Sequence, residues 1–188
     1  YGLSGRKPIL VRPDHKRDGL PRDPFMRWAI GRTDGLVTYS ERIMRADRKN
    51  FRLPSEKTCI IPPAIKLFTG TTTDVRPSLN LSPVDRVIGI IGRLKPDRGY
   101  DIVLKAFRLL KDDTTNVKLV IMGRSSQIEQ SIRRPLVELG LQSDVILAGY
   151  RIEDYFSVIA TFDMFVMMRA GSDGTARALR EVMSMGVP

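Results

Sequence analysis

Two short segments of the chain contain residue types that could bind a phosphorylated ligand. In the first, Gly92 ends an apolar run, and Arg93 and Arg98 follow within one loop. Two guanidinium groups in one loop can bind a diphosphate through paired hydrogen bonds. The alternative is a pair of solvated arginines, and the spacing matches neither the dinucleotide-binding glycine fingerprint nor a Walker loop.

The second segment is a glycine-rich turn that opens a predicted helix. The backbone N–H groups of Gly174 and Thr175, at the positive end of that helix, would favour an anion. Asp173 and Glu181 lie about two helical turns apart, so their carboxylates could accept hydrogen bonds from two neighbouring rings, such as a sugar and a ribose. Simpler roles stay open: an N-cap for Asp173 and an ion pair with Arg177 for Glu181.

Other chemically active residues are sparse. Tyr150 and Tyr155 flank the carboxyl end of a predicted strand, where a nucleobase could stack, although ordinary packing explains them equally well. Cys59 is the single cysteine, which excludes an internal disulfide and fits a reducing compartment, and its place in a strand predicts a buried thiol. The chain has one histidine and no Asp-x-Asp motif, which disfavours a metal site.

Short apolar runs alternate with amphipathic stretches, and this pattern predicts an α/β fold with parallel sheets. The predicted strands are Pro8–Arg12, Gly35–Tyr39, Thr58–Ile61, Arg86–Ile91, Val117–Met122, Asp144–Leu147 and Asp163–Met168. The predicted helices are Asp23–Gly31, Ser40–Phe51, Gly99–Leu110, Ser126–Leu139, Ile152–Thr161 and Thr175–Met185.

The composition divides the chain into three parts. Residues 66–84 are rich in Thr, Gly, Pro, Ser and Asn, which predicts a linker or crossover that adds little to a core. It separates a first segment, 1–65, from a second, 85–188. Each segment is predicted to be an incomplete Rossmann-like unit, truncated at its outer end, with bare strand edges that favour self-association.

Charge is distributed unevenly between these parts. The chain carries a formal net charge of +10, of which residues 1–57 contribute +7 through 14 Lys/Arg against 7 Asp/Glu. A cluster formed by Arg45, Arg48, Lys49 and Arg52 predicts a basic surface, which is either solvated or bound to a polyanion. Nucleic acid is disfavoured because zinc-finger spacing and aromatic ribonucleoprotein motifs are lacking.

The second segment resembles a known family. The run Gly92–Gly99, the strand Val117–Met122 and the closing GSDGTARALREVMSMGVP resemble the nucleotide-binding domain of family 4 glycosyltransferases, retaining enzymes of the GT-B fold related to glycogen synthase. That family has two glutamates separated by seven residues where this chain has Asp173 and Glu181. Its arginine–lysine pair stands here as Arg93 and Arg98.

The resemblance implies a role for each candidate residue. Arg93, Arg98 and the N–H groups of Gly174 and Thr175 would stabilise a leaving diphosphate. Glu181 would hold the ribose, and Asp173 the hydroxyls of the donor sugar. The nucleotide-sugar site implied in this way consists of Gly92, Arg93, Arg98, Tyr150, Gly174, Thr175 and Glu181.

The first segment resembles the end of the acceptor domain in the same family. His15 follows the strand that in the family ends in a histidine facing the transferred sugar, and a catalytic role is implied for it together with Asp173, Arg93 and Arg98. The stretch from Cys59 to Ile65 resembles the family's Ile-Pro-Asn-Gly-Val run, with Pro63 and Ala64 replacing Asn-Gly.

The activity implied is transfer of a sugar, with retention, from a nucleotide-diphosphate sugar (a UDP or GDP sugar) to a glycan or phosphorylated lipid, without a cofactor. A cytoplasmic location is expected, with peripheral contact at the inner membrane face through the basic first segment. A nucleotide-sugar epimerase, and a non-catalytic fragment that only binds nucleotide, remain as alternatives.

Overall fold

The computed structural model describes residues 8–14, 19–168 and 173–188, with side chains in the last range described from Ala176 onwards. It divides into two compact units, Tyr1–Ala64 and Ile65–Pro188. Each unit is built on its own sheet, and every strand pairing among the described residues is parallel. The predicted α/β class is therefore confirmed. Within the described ranges, no helix combines the length and apolar character needed to cross a membrane.

In its described residues, 8–14 and 19–64, the first unit has three strands in the order β1-β2-β3 and two helices. Its elements are β1 (Val11–Asp14), α1 (Pro24–Gly31), β2 (Gly35–Thr38), α2 (Glu41–Phe51) and β3 (Thr58–Ile60), with a 3₁₀ turn at Ser55–Lys57. Helix α1 begins where Asp23 accepts a hydrogen bond from the N–H of Met26, at 2.8 Å. Met26 and Ile30 lie four residues apart and face a small core with Leu20 and Leu36.

Outside residues 169–172, which are not described, the second unit has four strands in the order β6-β5-β4-β7. Its strands are β4 (Arg86–Ile91), β5 (Val117–Met122), β6 (Val145–Gly149) and β7 (Met164–Phe165). Its helices are α3 (Tyr100–Asp113), α4 (Arg134–Glu138), α5 (Tyr155–Ile159) and α6 (Asp173–Ser184), with 3₁₀ turns at Pro77–Leu79 and Pro96–Arg98 and a π-helical turn at Glu129–Arg133.

The central strand β5 is buried on both faces. Leu119 and Ile121 face one core cluster, whereas Val120 and Met122 face another on the opposite side of the sheet. Burial of each such side chain contributes about 1.5–3 kcal/mol. Because strands β4 and β5 are held this firmly from both sides, the loops that leave their carboxyl ends start from fixed positions.

Three sequence-based expectations about packing are wrong. Residues 66–84 do contribute to a core, because Val75, Leu79 and Leu81 are buried in the second unit. Cys59 is exposed because β3 is the edge strand of its sheet. Arg48 does not belong to the exposed basic surface, since its guanidinium donates hydrogen bonds to the side chain of Thr58.

Several predicted boundaries also differ. Strand β1 runs over Val11–Asp14 and not Pro8–Arg12, and β7 is reduced to Met164–Phe165. The helix predicted over Ser126–Leu139 starts with the π-helical turn, in which the N–H of Arg134 donates to the carbonyl of Glu129. Pro135 follows this wide turn, and its lack of an N–H removes one bond of a regular helix.

The first unit buries two carboxyl groups in contact with each other. Asp14 at the carboxyl end of β1 and Asp47 in α2 are 2% and 0% exposed, and the two carboxyl groups lie close enough for Asp14 to act on Asp47. Asp47 Oδ1 also accepts the N–H of Leu20 at 3.1 Å, and a Cβ at Gly19 (φ +79°) would lie 2.8 Å from that oxygen. Burial is the largest cause that raises the pKa of Asp47, from 3.8 to about 6, and the charge of Asp14 raises it further. The hydrogen bond from Leu20 acts in the opposite direction.

The acid pair predicts an unusual pH dependence of stability. Between about pH 4 and pH 6 the folded first unit binds more protons than the unfolded chain, since the pKa of Asp47 is about 6 when folded and 3.8 otherwise. Its free energy of unfolding should therefore fall as the pH rises from about 4 to about 6, by up to about 3 kcal/mol. The measurement is urea unfolding at a series of pH values, followed by the fluorescence of Trp28, the single tryptophan.

Asp47→Asn imitates the protonated acid and should remove this component of the pH dependence. Asp113→Asn, at an exposed helix end, is the matched control and should leave it in place. Identical pH profiles for the parent and Asp47→Asn would show that Asp47 does not hold a proton in the folded unit.

Candidate functional site

The carboxyl ends of three strands in the second unit are joined by backbone contacts. The N–H of Gly92, after β4, donates to the carbonyl of Met122 at 3.0 Å, and the N–H of Gly123, after β5, donates to Gly149 at 2.8 Å. Gly123 has φ +154°, and a Cβ there would lie 1.9 Å from the carbonyl oxygen of Gly92. Only glycine fits this approach. The loops after β4, β5 and β6 therefore diverge from one junction, at the edge where open α/β sheets bind ligands.

The loop after β4 places Arg93 and Arg98 around a small recess that also includes Gly92 and Tyr100. Arg93 is exposed, whereas Arg98 is partly buried. The Nε atom of Arg98 and the hydroxyl of Tyr100 are both buried and have no hydrogen-bond partner among the described residues. Burial raises the pKa of Tyr100, with the charge of Arg98 opposing, so its hydroxyl stays protonated. Two residues with unsatisfied donors thus line the same recess.

A buried carboxylate lines a separate cleft in this unit. Glu181 in α6 is 7% exposed. Its Oε2 accepts the hydroxyl of Tyr155 at 2.7 Å, and its Oε1 accepts Nε of Arg177 at 2.8 Å. Burial, together with the hydrogen bond to Glu181 and its charge, raises the pKa of Tyr155 above the usual range for a phenol, with Arg177 opposing. Tyr155 therefore remains a donor.

The cleft beside Glu181 has a volume of about 610 Å³ and is both polar and aromatic. Residues 66–70 and the loop at 150–152 form two of its walls. Phe68 stacks on Phe156 with ring centroids 4.4 Å apart. Tyr150 is 58% exposed, and the guanidinium of Arg124 lies 4.5 Å from its ring centre. A cleft with open aromatic rings and a fixed carboxylate is suited to a nucleoside.

The sequence-predicted site residues fall into three groups. Gly92, Arg93 and Arg98 share the recess, and Tyr150 and Glu181 share the cleft. Helix α6 begins at Asp173, so Gly174 and Thr175 lie in its first turn, but the side chains of all three lie outside the described residues. His15 also lies outside the described residues.

The ion pair between Glu181 and Arg177, considered from their i,i+4 spacing, is present. Sequence reasoning missed Tyr100 and the hydrogen bond from Tyr155 to Glu181. Tyr100 offered one signal, its position directly after Arg98-Gly99 at the start of a helix. In the part of the chain that the structure describes, no three His, Cys, Asp or Glu side chains lie close enough to hold a metal ion.

A family model described as "Glycosyl transferases group 1" matches residues 85–188, more than half of the chain. The chain belongs to this family. The match covers both arginines of the recess, Tyr150 and all of α6. Two curated relatives share parts of the sequence. Lipopolysaccharide 1,2-N-acetylglucosaminetransferase of Salmonella typhimurium is 27% identical over 114 residues, which is 55% of this chain and 29% of that protein.

D-inositol 3-phosphate glycosyltransferase of Segniliparus rotundus is 30% identical over 74 residues, which is 38% of this chain and 16% of that protein. The chain thus spans less than a third of either relative. Among solved structures, Anabaena HepE in complex with UDP and glucose superposes with a TM-score of 0.72 at 21% identity, covering 96% of this chain and 52% of that one.

TarM superposes with a TM-score of 0.72 at 16% identity, over 96% of this chain and 35% of that one. The glycosyltransferase WaaG gives a TM-score of 0.67 at 19% identity, over 83% of this chain and 43% of that one. At these identities the likeness concerns the fold. This member of the glycosyl transferase group 1 family has the parallel α/β fold of GT-B glycosyltransferases.

The unsatisfied hydroxyl of Tyr100 predicts opposite effects of one substitution on stability and on ligand binding. A buried hydroxyl without a partner costs about 1–3 kcal/mol, so Tyr100→Phe should keep or raise the melting temperature of the ligand-free chain. The same variant should weaken nucleoside diphosphate binding if the hydroxyl donates to the ligand. Thermal melts and calorimetric titration measure the two effects.

Tyr155→Phe is the matched comparison, because its hydroxyl is already bonded to Glu181. This variant should lower the melting temperature. If Tyr100→Phe destabilises the chain as much as Tyr155→Phe does, the Tyr100 hydroxyl has a partner within the folded protein.

Proposed function

We propose that this chain is part of a retaining glycosyltransferase, and that its second unit binds the nucleotide-diphosphate sugar donor. The observation that supports this most is Glu181, a buried carboxylate fixed between Tyr155 and Arg177 in the lining of a cleft of about 610 Å³. Membership of the glycosyl transferase group 1 family supports the same reaction class. The first unit is proposed to belong to the acceptor side.

In this proposal Glu181 binds the ribose. Each carboxylate oxygen accepts more than one hydrogen bond, so the bonds from Tyr155 and Arg177 leave acceptor positions for two hydroxyl groups. Because Tyr155 and Arg177 hold the carboxylate from both sides, it needs no reorganisation when the ligand arrives. The ring of Tyr150, at the rim of the same cleft, would stack against the base.

The diphosphate is assigned to the loop after β4. Arg98 has a buried donor without a partner in the described chain, and Arg93 beside it is exposed, so both can reach an anion in front of the recess. The N–H groups of Gly174 and Thr175, in the first turn of α6, would add hydrogen bonds at a positive helix end. Charge that develops on the leaving diphosphate is stabilised by such fixed donors.

The remaining roles follow from the family resemblance. Asp173 is proposed to accept hydrogen bonds from the hydroxyls of the donor sugar, and His15 to contact the transferred sugar. The acceptor is proposed to be a glycan or a phosphorylated lipid and the donor a UDP or GDP sugar. No cofactor takes part in this scheme, because the arginines and the helix end neutralise the diphosphate.

Glu181→Gln tests the assignment of the donor site. The loss of a charged acceptor costs about 1.5–3 kcal/mol, so binding of UDP or GDP should weaken roughly ten- to hundredfold. Calorimetric titration with each nucleotide measures the effect. Glu138→Gln, an exposed position in α4, is the control and should bind like the parent.

Product analysis with UDP and GDP sugars tests the reaction class. Free nucleoside diphosphate together with a glycoside of unchanged anomeric configuration is the expected result. An isomerised nucleotide sugar would identify an epimerase. Nucleotide binding without turnover, also in a chain extended to the length of its relatives, would leave the binding site but refute the transferase.

We also propose that the first unit contacts an anionic membrane surface. Arg42, Arg45 and Lys49 follow each other at intervals of three and four residues on α2, and all three are exposed. Glu41 pairs with Arg45 at 2.6 Å and partly offsets this stripe. Clustered Lys and Arg contribute about 1 kcal/mol each near anionic lipid.

An exposed aromatic pair in α1 of the same unit supports this proposal. The rings of Phe25 and Trp28 stack at 5.8 Å, and they are 70% and 55% exposed. The guanidinium of Arg32 lies 4.2 Å from the ring centre of Trp28, and tryptophan beside a basic residue is typical of surfaces that lie at the membrane interface.

Sedimentation with phosphatidylcholine vesicles, with and without phosphatidylglycerol, tests this contact. We expect binding to the anionic vesicles alone, weakened by salt and by the double change Arg42→Gln and Lys49→Gln. The control, Lys105→Gln with Arg134→Gln, removes equal charge from exposed positions of the second unit. Equal binding to neutral vesicles, or an equal loss of binding in the control, would show that Arg42, Arg45 and Lys49 do not form the membrane contact.

A further inference from the structure

A second groove lies in the first unit, between the ends of its two helices. It has a volume of about 250 Å³ and is bounded by the last turn of α1 and by residues 51–54 and 57. Three exposed cations, Arg27, Arg52 and Lys57, stand around it, and Asp and Glu are absent from its described lining. None of the three side chains makes an ion pair or hydrogen bond with another described residue. The groove is therefore a concentration of positive charge without a counterion in the described chain.

The position of the groove separates it from the sites considered so far. Helices α1 and α2 end here and lead into strands β2 and β3, so the groove lies at the amino ends of the strands. Asp14, at the carboxyl end of β1, belongs to the opposite edge of this sheet. Ligand sites of open α/β sheets lie at the carboxyl edge, so this groove does not follow from the fold.

The backbone at Arg52 supplies an independent observation. Arg52 terminates α2 in the left-handed conformation, with φ 52° and ψ 43°. This conformation is unfavourable for a residue with a Cβ, and glycine is the usual residue at such a helix end. Among the described residues, Arg52 and Asn80 are the non-glycine residues with positive φ. Asparagine tolerates this conformation better than arginine does.

A competing explanation is that the cations stabilise the negative ends of the two helix dipoles. The two explanations differ for Arg52. If the guanidinium served the helix, its removal would lower stability. If it served a ligand, glycine would relieve the backbone and stability would be kept or raised.

We propose that this groove is a binding site for a phosphate group, held by Arg27, Arg52 and Lys57. Three cations converging on one small groove suit the charge and the several acceptor oxygens of a phosphomonoester or phosphodiester. The group belongs either to a lipid headgroup or to a small soluble molecule. The site is independent of the donor cleft, since no residue is shared with it.

Arg52→Gly is the decisive variant. Inorganic phosphate is titrated into the 188-residue chain, and binding is followed by the NMR shifts of the Arg27 and Lys57 backbone amides. Vesicles of phosphatidylcholine with and without phosphatidic acid form the second arm. We expect Arg52→Gly to weaken binding at least about tenfold, while the melting temperature stays the same or rises. The double change Arg27→Gln and Lys57→Gln should also weaken binding without altering the backbone at residue 52.

Asn80→Gly is the matched control, because it replaces the other left-handed residue and lies in the second unit. It should keep parental binding. Response to inorganic phosphate assigns the site to a soluble phosphate, and response to phosphatidic acid vesicles alone assigns it to a headgroup; both support the proposal. Parental binding by Arg52→Gly, no binding in either arm, or a lower melting temperature for Arg52→Gly than for the parent would overturn it.

Discussion

The approach of Gly123 to Gly92 is the constraint on which the architecture of the second unit depends. A carbonyl oxygen occupies the position where a Cβ of residue 123 would lie, 1.9 Å away, so the two strand ends meet only because that side chain is absent. The hydrogen bond from Gly123 to Gly149 adds the end of β6 to the same junction. The three loops that follow β4, β5 and β6 therefore start from one junction. A larger residue at 123 would displace the arginine loop and the tyrosine loop together.

The parts of the fold that sequence reasoning predicted well are those in which local pattern and tertiary role agree. Strands β4 and β5 have the predicted bounds, because a strand buried on both faces is a continuous apolar run with sharp polar ends. The edge strands were predicted less well. Cys59 is apolar enough for a core, but its exposure depends on strand order, which no local pattern contains. The burial of Val75, Leu79 and Leu81 was also missed, because these residues stand among polar neighbours in the sequence.

The candidate site also contains residues that the sequence predicted together and contacts that only the fold creates. Gly92, Arg93 and Arg98 were predicted together because they are close in sequence, and the recess unites them. The bond between Tyr155 and Glu181 joins residues 26 positions apart, and only the packing of α5 against α6 brings them together. The acid pair of Asp14 and Asp47 could not be predicted from the sequence either. In sequence, Asp47 stands among charged residues on a helix and looks solvated, whereas the fold turns it inwards with 0% exposure.

The exposure of Cys59 has a practical consequence for chemistry on this molecule. It is the single thiol of the chain, and it is exposed on β3, an edge strand of the sheet that the structure describes in the first unit. A maleimide reagent would therefore label one defined position, without prior mutagenesis and without a competing thiol in the second unit. Oxidation has an equally restricted outcome, because a disulfide of this chain can form only between two molecules. Such a crosslink would join them through their first units.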